Sequence, residues 1–301
     1  MPEWIVEEGI GEVRAALVED GEVLEARVRR EGVVPAGAVL DAKLVAVAPR
    51  VTVEADGAQF LLPRGVSGVT EGARLAIEVT REALGGSEPW KRGLARRTEA
   101  APAPAPPLAE GAKGTIEAWD ELLEEARTGI VRFEGGELRI QPTAAMTVID
   151  VDGWLIPAKL AQMAAWAAAR AIRRLDIGGS IGIDFPTLHG KEERREVDEI
   201  LNGYLPHPFE KTAINGFGFA QIVRPKLRPS LLELAENRAR FEARALVRRA
   251  GRSIGGATVT AHPAVIAAID EGWRKRLVRQ VGGAVTLSAD PSLAMSGGHV
   301  H

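Results

Sequence analysis

The chain opens on an alternation. In "EWIVEEGIGEVRAALVEDGEVLEARVRR" apolar and polar positions trade places nearly every residue, and Glu19, Asp20 and Gly21 separate "VRAALV" from "VLEARV". A period of two is the strand period, and an acidic residue followed by Gly suits a tight turn, so a hairpin is expected. Between Gly37 and Thr80 four short runs follow: "AVLDAKLVAV", "RVTVEA", "AQFLLP" and "RLAIEVT". Gly and Pro punctuate them, as in a small β-barrel. "TEAAPAPAPPLAEGAKG" (98–114) shows neither period. Its Ala and Pro predict an extended linker with little capacity to pack.

The pattern then changes. "GTIEAWDELLEEARTG" has helical spacing, and "GIVRFEGGELRIQPT" reads as a hairpin turning at Gly135 and Gly136. The strand "AMTVIDVDG" comes next. "PAKLAQMAAWAAARAIRRL" follows as a long Ala-rich helix, with Pro157 near its start and Arg173 and Arg174 near its end. Gly178 and Gly179 break it. "SIGIDF" is a second short strand, "KEERREVDEILNGYL" a charged helix, and "KTAINGFGFAQIVRP" starts a third strand. This β-α-β-α-β order predicts α/β packing with right-handed crossovers. The last 70 or so residues carry a basic amphipathic helix (231–252), a strand "ATVTA", a helix after His262 and Pro263, and a strand "AVTLSA". No internal repeat is present.

Composition narrows the chemistry. The 301 residues are 46% hydrophobic and 26% charged, as in an ordinary water-soluble protein, and can form one large domain or two to three small ones. There are no cysteines, which excludes disulfides, thiolate zinc sites and cysteine nucleophiles. The acidic opening "MPEWIVEEGIGE" lacks a long apolar run, so no secretory signal is expected. No stretch reaches the roughly 18 uninterrupted apolar residues of a membrane span. The net charge of −3 means that a nucleic-acid partner must meet a local basic patch.

One strand raises a question. Aspartate is a poor strand former, yet "MTVIDVDG" holds Asp150 and Asp152. Alternation puts both on one face together with Val148, and puts Ile149 and Val151 on the other. Asp184 ends the next strand, after a helical crossover that carries strand C-terminal ends to one edge. Three carboxylates could thus meet at one rim. Hard oxygens without imidazole or thiolate partners select Mg²⁺ or Mn²⁺ over zinc. Asp152 precedes Gly153 and reads equally well as a turn residue. In "GFGFAQIVRPKLRPSL", Arg224, Lys226 and Arg228 stand two apart and, in an extended segment, project together. Cations beside a carboxylate cluster suit a phosphodiester, although such a run also reads as a solvated loop. Phe217 and Phe219 read either as base-stacking or as core residues.

The succession "TVIDVDG", helix, "LDIGGSIGIDF", charged helix, "GFGFAQIVRPKLRPSL" resembles the catalytic core of the ribonuclease E/G family. The opening hairpin resembles that family's RNase H-like hairpin. The barrel stands where the family inserts an OB-fold, and "VTAHPAVIAAIDEGWRKRLVRQVGGAVTLSADPSL" resembles its small C-terminal domain. The resemblance implies a mixed α/β fold: an RNase H-like and DNase I-like catalytic core, an inserted OB-like barrel and a C-terminal α/β domain. The corresponding boundaries are 1–34 for the hairpin, 35–90 for the barrel, 91–114 for the linker, 115–229 for the core and 230–301 for the C-terminal domain. It implies a cytoplasmic, Mg²⁺-dependent endoribonuclease of single-stranded RNA that leaves 5′-phosphate products. Asp150 and Asp184 would hold the metal, with Asp152 standing where the family has Asn. Lys211, Arg224, Lys226, Arg228 and Phe217 would contact RNA.

The chain also departs from the family. "PTLHG" replaces an acidic loop after Asp184, Gln221 and Val223 replace the usual Glu and Thr or Ser, and the 5′-monophosphate sensor segment is missing. The zinc-link cysteines are absent too, so a homodimer, if formed, has no zinc bridge. Arg96, Arg97, Thr98, Arg127 and Thr128 remain as phosphate contacts to be weighed. His189 is read as a loop-surface residue, His207 and His262 as structural, the terminal "GGHVH" as a frayed tail and the Arg face of 231–252 as solvated. The competing readings are an RNA-binding protein that has lost cleavage and a phosphodiesterase acting on DNA or a nucleotide.

Overall fold

The computed structural model describes residues 1–85 and 90–301. Residues 86–89, near the end of the expected barrel segment, lie outside the described residues. The opening alternation forms β1 (Glu3–Glu8), β2 (Glu12–Glu19) and β3 (Glu22–Arg30), an antiparallel meander with Asp20 and Gly21 at positive φ in the expected turn. The barrel is closed and has five strands: β4 (Val39–Ala46), β5 (Thr52–Ala55), β6 (Ala58–Leu61), β7 (Arg74–Arg81) and β8 (Gly93–Arg97). The fifth strand falls in the segment read as linker. It runs parallel to β6 and antiparallel to β7, and so removes both open edges.

The Ala/Pro segment also differs from the expectation of a free linker. Ala103 and Val39 exchange two backbone hydrogen bonds, at 2.9 and 3.0 Å. Leu108 is buried, and β9 (Ala112–Lys113) adds a parallel strand to β1. Proline carries no N–H, but its carbonyl still accepts. Arg29 donates to the Pro106 carbonyl at 2.7 Å, and Arg27 to that of Leu108 at 2.9 Å. An extended chain that cannot form its own ladder is thus strapped down by arginines of β3.

The second half builds a six-stranded sheet. It contains β10 (Ile130–Phe133), β11 (Gly136–Pro142), β12 (Thr147–Gly153), β13 (Gly179–Asp184), β14 (Glu210–Lys211) and β15 (Phe219–Arg224), in the order β10-β11-β12-β13-β15-β14. Its helices are α1 (Trp119–Thr128), α2 (Pro157–Arg174) and α3 (Lys191–Tyr204). The pair β12 and β13 is parallel, joined by α2 as expected. The third strand is not parallel. The turn at 215–218 reverses the chain after β14, so β15 runs antiparallel to β13. Leu138, Ile140, Ile149, Ile181, Ile183, Ala220 and Ile222 line one face of this sheet and are buried with α2 and α3. The opposite face carries the polar residues. Helix α2 also packs against β3, so it is covered by two sheets, and its run of buried alanines lets both approach closely. Arg170 with Glu22, at 2.6 Å, and Arg173 with Glu25, at 3.1 Å, fasten that contact at its rim.

The C-terminal part contains α4 (Leu231–Glu236), α5 (Arg238–Ala250), β16 (Gly256–Ala261), α6 (Pro263–Ala267), α7 (Glu271–Val281), β17 (Ala284–Ala289) and β18 (His299–Val300). The expected single helix 231–252 is broken at Asn237, whose side chain accepts the Arg240 N–H. The terminal "HV" is a strand paired with β16, not a frayed tail. Among the described residues no helix is long and apolar enough to cross a membrane.

Of the arginines expected on a solvated face, Arg244 and Arg248 are buried, while Arg238, Arg249 and Arg252 are exposed. Arg248 bonds Glu7 at 3.2 Å and donates to the Glu12 carbonyl at 3.1 Å. Arg14 bonds the Glu12 carboxylate at 2.6 Å, and Arg244 approaches it at 3.6 Å. Gly9 leaves the room, since a Cβ there would stand 2.5 Å from Arg248 Nη2. Burial pushes the Glu12 carboxyl up, but the guanidinium groups of Arg14, Arg244 and Arg248 outweigh it and hold the pKa below its ordinary 4.5. A depressed carboxylate stabilises the fold above its unfolded pKa and stops doing so as pH falls through the folded value. Glu12→Gln is therefore expected to cost about 3 kcal/mol at neutral pH. The gap to wild type should close as pH falls below 4.5, as followed by urea unfolding at several pH values.

Candidate active site

Strand β12 answers the question its aspartates raise. Thr147, Val148, Ile149 and Val151 favour extended backbone, and the odd positions Thr147 and Ile149 are buried. The even positions Asp150 and Asp152 therefore point to the open face, where their carboxylates stay in water. In the parallel pairing with β13, Asp150 is aligned with Asp184. Aligned residues of neighbouring strands lie about 4.8 Å apart and project to the same side. Both carboxylates are exposed, and neither takes part in a hydrogen bond or ion pair among the described residues. Asp152 differs: its Oδ1 accepts its neighbour Gly153's N–H at 2.8 Å, and it is aligned with Glu137 on β11. The expected rim of three carboxylates is thus an aligned pair, with the third carboxylate held by its own turn.

Two free carboxylates on one face fit a hard divalent cation. Mg²⁺ binds through one or two carboxylates and keeps several waters, whereas structural zinc sites need four protein ligands with nitrogen or sulfur. Among the described residues no group of three or more His, Asp or Glu side chains is placed to hold a metal. His189 offers its backbone carbonyl to Arg194 at 3.2 Å, His207 stacks on Phe209, and His262 caps α6 through Nδ1.

The expected row of cations does not flank the pair. Because β15 is antiparallel to β13, Asp184 is aligned with Phe219, while Arg224 is aligned with Gly179 at the far end. Five residue steps put Arg224 about 17 Å away along the sheet. Arg224 donates to the Ile177 carbonyl at 3.0 Å, and burial pulls its pKa down. Lys226 bonds Glu233 at 2.5 Å, and Arg228 bonds Asp176 at 3.0 Å. Between them the Leu227 carbonyl accepts the Glu82 N–H at 2.8 Å, so this segment joins the core to the barrel's exit. Lys211 is aligned with Ile222, faces the helices and pairs with Asp198. Arg127 is held by both oxygens of Glu242, each at 2.7 Å, and Arg96 by Glu78 at 2.6 Å.

Sequence reading missed the cation that does adjoin the pair, Arg139, and a second one strand further out, Arg132. Arg139 on β11 is aligned with Asp150, and Arg132 on β10 with Glu137. Both are exposed, and Arg139 pairs with Glu137 at 2.9 Å. The signal was available in "ELRIQ", where Glu137, Arg139 and Gln141 alternate with the buried Leu138 and Ile140. Phe219 covers Gly182, where an added Cβ would stand 2.6 Å from the ring. Phe217 is exposed on the turn 215–218, whose Asn215 side chain accepts the N–H of Phe217 at 2.9 Å and of Phe219 at 3.1 Å.

The segment that carries this geometry is matched by known proteins. Residues 118–227 match the Ribonuclease E/G family. Over this segment the chain is similar to the ribonuclease E/G family. It is similar to the proteins named Ribonuclease G of Escherichia coli strain K12, Salmonella typhimurium strain SL1344 and Shigella flexneri, each 32% identical over 111 residues. That alignment covers 32% of this chain and 22% of each relative. The family segment runs from the start of α1 to just past β15 and contains both free aspartates. The opening hairpin, the barrel and the last 70 or so residues lie outside it.

The two sets of cations should respond differently to truncation. Arg228→Ala is expected to cost about 2 kcal/mol of unfolding free energy, because it strands Asp176 at a packed junction. Arg139→Ala should stay within about 0.5 kcal/mol of wild type, as an exposed pair allows. Parallel urea titrations of the two variants check this.

Proposed function

We propose that this chain is a divalent-metal-dependent endoribonuclease that cleaves single-stranded RNA. The observation that carries the proposal is the alignment of Asp150 with Asp184, both free and exposed, inside the ribonuclease E/G family segment. The relatives' names supply the substrate class: they are ribonucleases. The order of segments supports reading the six-stranded sheet as the DNase I-like part, the β1–β3 sheet as the RNase H-like part and the barrel as OB-like.

Mg²⁺ or Mn²⁺ held by Asp150 and Asp184 would supply Lewis-acid charge at a phosphodiester oxygen and a more acidic water. Without a cation, two carboxylates side by side repel a phosphate, so both binding and cleavage at this face need counter-charge. Arg139, next to Asp150, offers a planar guanidinium that suits two phosphate oxygens at once, and releases Glu137 to do so. Arg132 lies in the next row. Attack of water on phosphorus with departure of the 3′-oxygen leaves the phosphate on the 5′ end of the downstream fragment. Asp152, tied to Gly153, shapes the turn after β12. Lys211, Arg224, Lys226 and Arg228 support the fold around the site, while Phe217 stands open beside it.

The test is cleavage of an unstructured RNA with Mg²⁺, with EDTA, and with Asp150→Asn and Asp184→Asn. Each substitution and the chelator should lower the rate by roughly 100-fold or more. Cleavage that survives both substitutions sinks the metal assignment. RNA binding without product under Mg²⁺ and Mn²⁺ selects the binding-protein reading, and equal cleavage of DNA of the same sequence selects the general phosphodiesterase.

A further inference from the structure

Large apolar side chains stand uncovered at the edge of the sheet where the carboxylates lie. Trp154 is 80% exposed and Ile156 74%, directly after β12, and Phe217 is 83% exposed, two residues before β15. All three lie beyond the row that aligns Asp150, Asp184 and Phe219. Strands β12, β13 and β15 are neighbours, so the two aromatic positions are separated laterally by about 10 Å.

Their backbones are anchored although their side chains are open. The Trp154 N–H donates to the Gly135 carbonyl at 3.1 Å. The next residue, Leu155, fills the space over Gly135, where an added Cβ would stand 2.2 Å from its side chain. Phe217 sits in a turn closed by Asn215 and fastened to the residue after Asp184: the Phe185 N–H donates to the Gly218 carbonyl at 3.1 Å. Gly218 has φ +91°, and a Cβ there would stand 2.4 Å from the Phe185 carbonyl oxygen, so only glycine lets the turn lie this close. Fixed backbone with open aromatic faces is a rigid platform awaiting a flat partner.

We propose that Trp154 and Phe217 are stacking platforms for two unpaired bases that flank the phosphate held at Asp150 and Asp184, with Ile156 widening the Trp154 side. The inference rests on the ribonuclease reading and adds the feature that selects single strands. The two patches follow different strands, β12 and β15, with the end of β13 between them. A protein partner needs on the order of 1,000 Å² of matched surface, whereas a base needs one ring. Bases inside a duplex are already stacked and cannot reach either ring.

The experiment measures binding by fluorescence anisotropy with Ca²⁺ in place of Mg²⁺, a hard oxygen-binding cation that keeps the counter-charge at the carboxylates, using a labelled unstructured RNA oligonucleotide, the same strand with abasic residues, and its duplex. Trp154→Ala and Phe217→Ala should each weaken binding of the single strand roughly tenfold. The loss should vanish on the abasic strand and leave the salt dependence unchanged, because no phosphate contact is removed. Wild type should prefer the single strand to the duplex. Wild-type affinity in both variants, or equal losses on normal and abasic strands, overturns the proposal. So does a wild-type dimer in sedimentation that Trp154→Ala dissolves without changing RNA affinity. If these binding losses appear while no metal supports cleavage, the stacking rim stands and the nuclease reading falls.

Discussion

Everything at the site depends on the register between β12 and β13. That register is set by burial, not by the aspartates. Ile149, Ile181 and Ile183 must all face α2 and α3, and each is fully buried. A slip of one residue would turn Ile149 into water and drive Asp150 into the core, which costs several kcal/mol through the lost apolar burial and the buried charge. The hydrophobic face thus holds two carboxylates side by side on the opposite face, a position that their mutual repulsion would not choose. The site is a consequence of core packing.

The same logic explains what α2 does. A helix between two parallel strands normally needs one apolar stripe. Here it meets the β1–β3 sheet as well, and its alanines provide small buried surface on more than one side. The helix that fixes the Asp150–Asp184 register is therefore tied to the N-terminal sheet, which is tied in turn to α5 through the Glu7, Glu12, Arg244 and Arg248 cluster. Segments outside the ribonuclease E/G match support the site at a distance.

Much of this was legible in the sequence. The period-two runs gave the hairpin, four barrel strands and β12, and the parity of Asp150 against Ile149 gave the open face. What failed was direction and company. Nothing in "KTAINGFGFAQIVRP" marks the reversal at 215–218 except Asn215 and Gly218, so β15 reads as a parallel strand. Taking it as parallel moves Arg224 to the wrong end. The strand "GLARR" was hidden by its length and by the Ala/Pro run after it. The basic residues were misread for a general reason. A sequence shows a cation but not its carboxylate, and Glu233, Asp176 and Asp198 come from other elements.

Those pairings decide how the chain can meet an anion. The net charge is −3, and the arginines paired with Glu7, Glu12, Glu25, Glu78 and Glu242 are not free to join a basic track of the kind that gives many RNA-binding proteins their affinity. Pulling Arg228 or Arg248 toward a phosphate would strand a carboxylate at a packed junction, at a cost comparable to what the new contact returns. Arg139 escapes this constraint because it is exposed, on a rigid sheet and aligned with Asp150, and Arg132 is exposed one strand further out. A single strand meeting this face would draw its binding energy from counter-charge brought to Asp150 and Asp184 and from uncharged contacts. The exposed rings of Trp154 and Phe217 supply uncharged surface at that place.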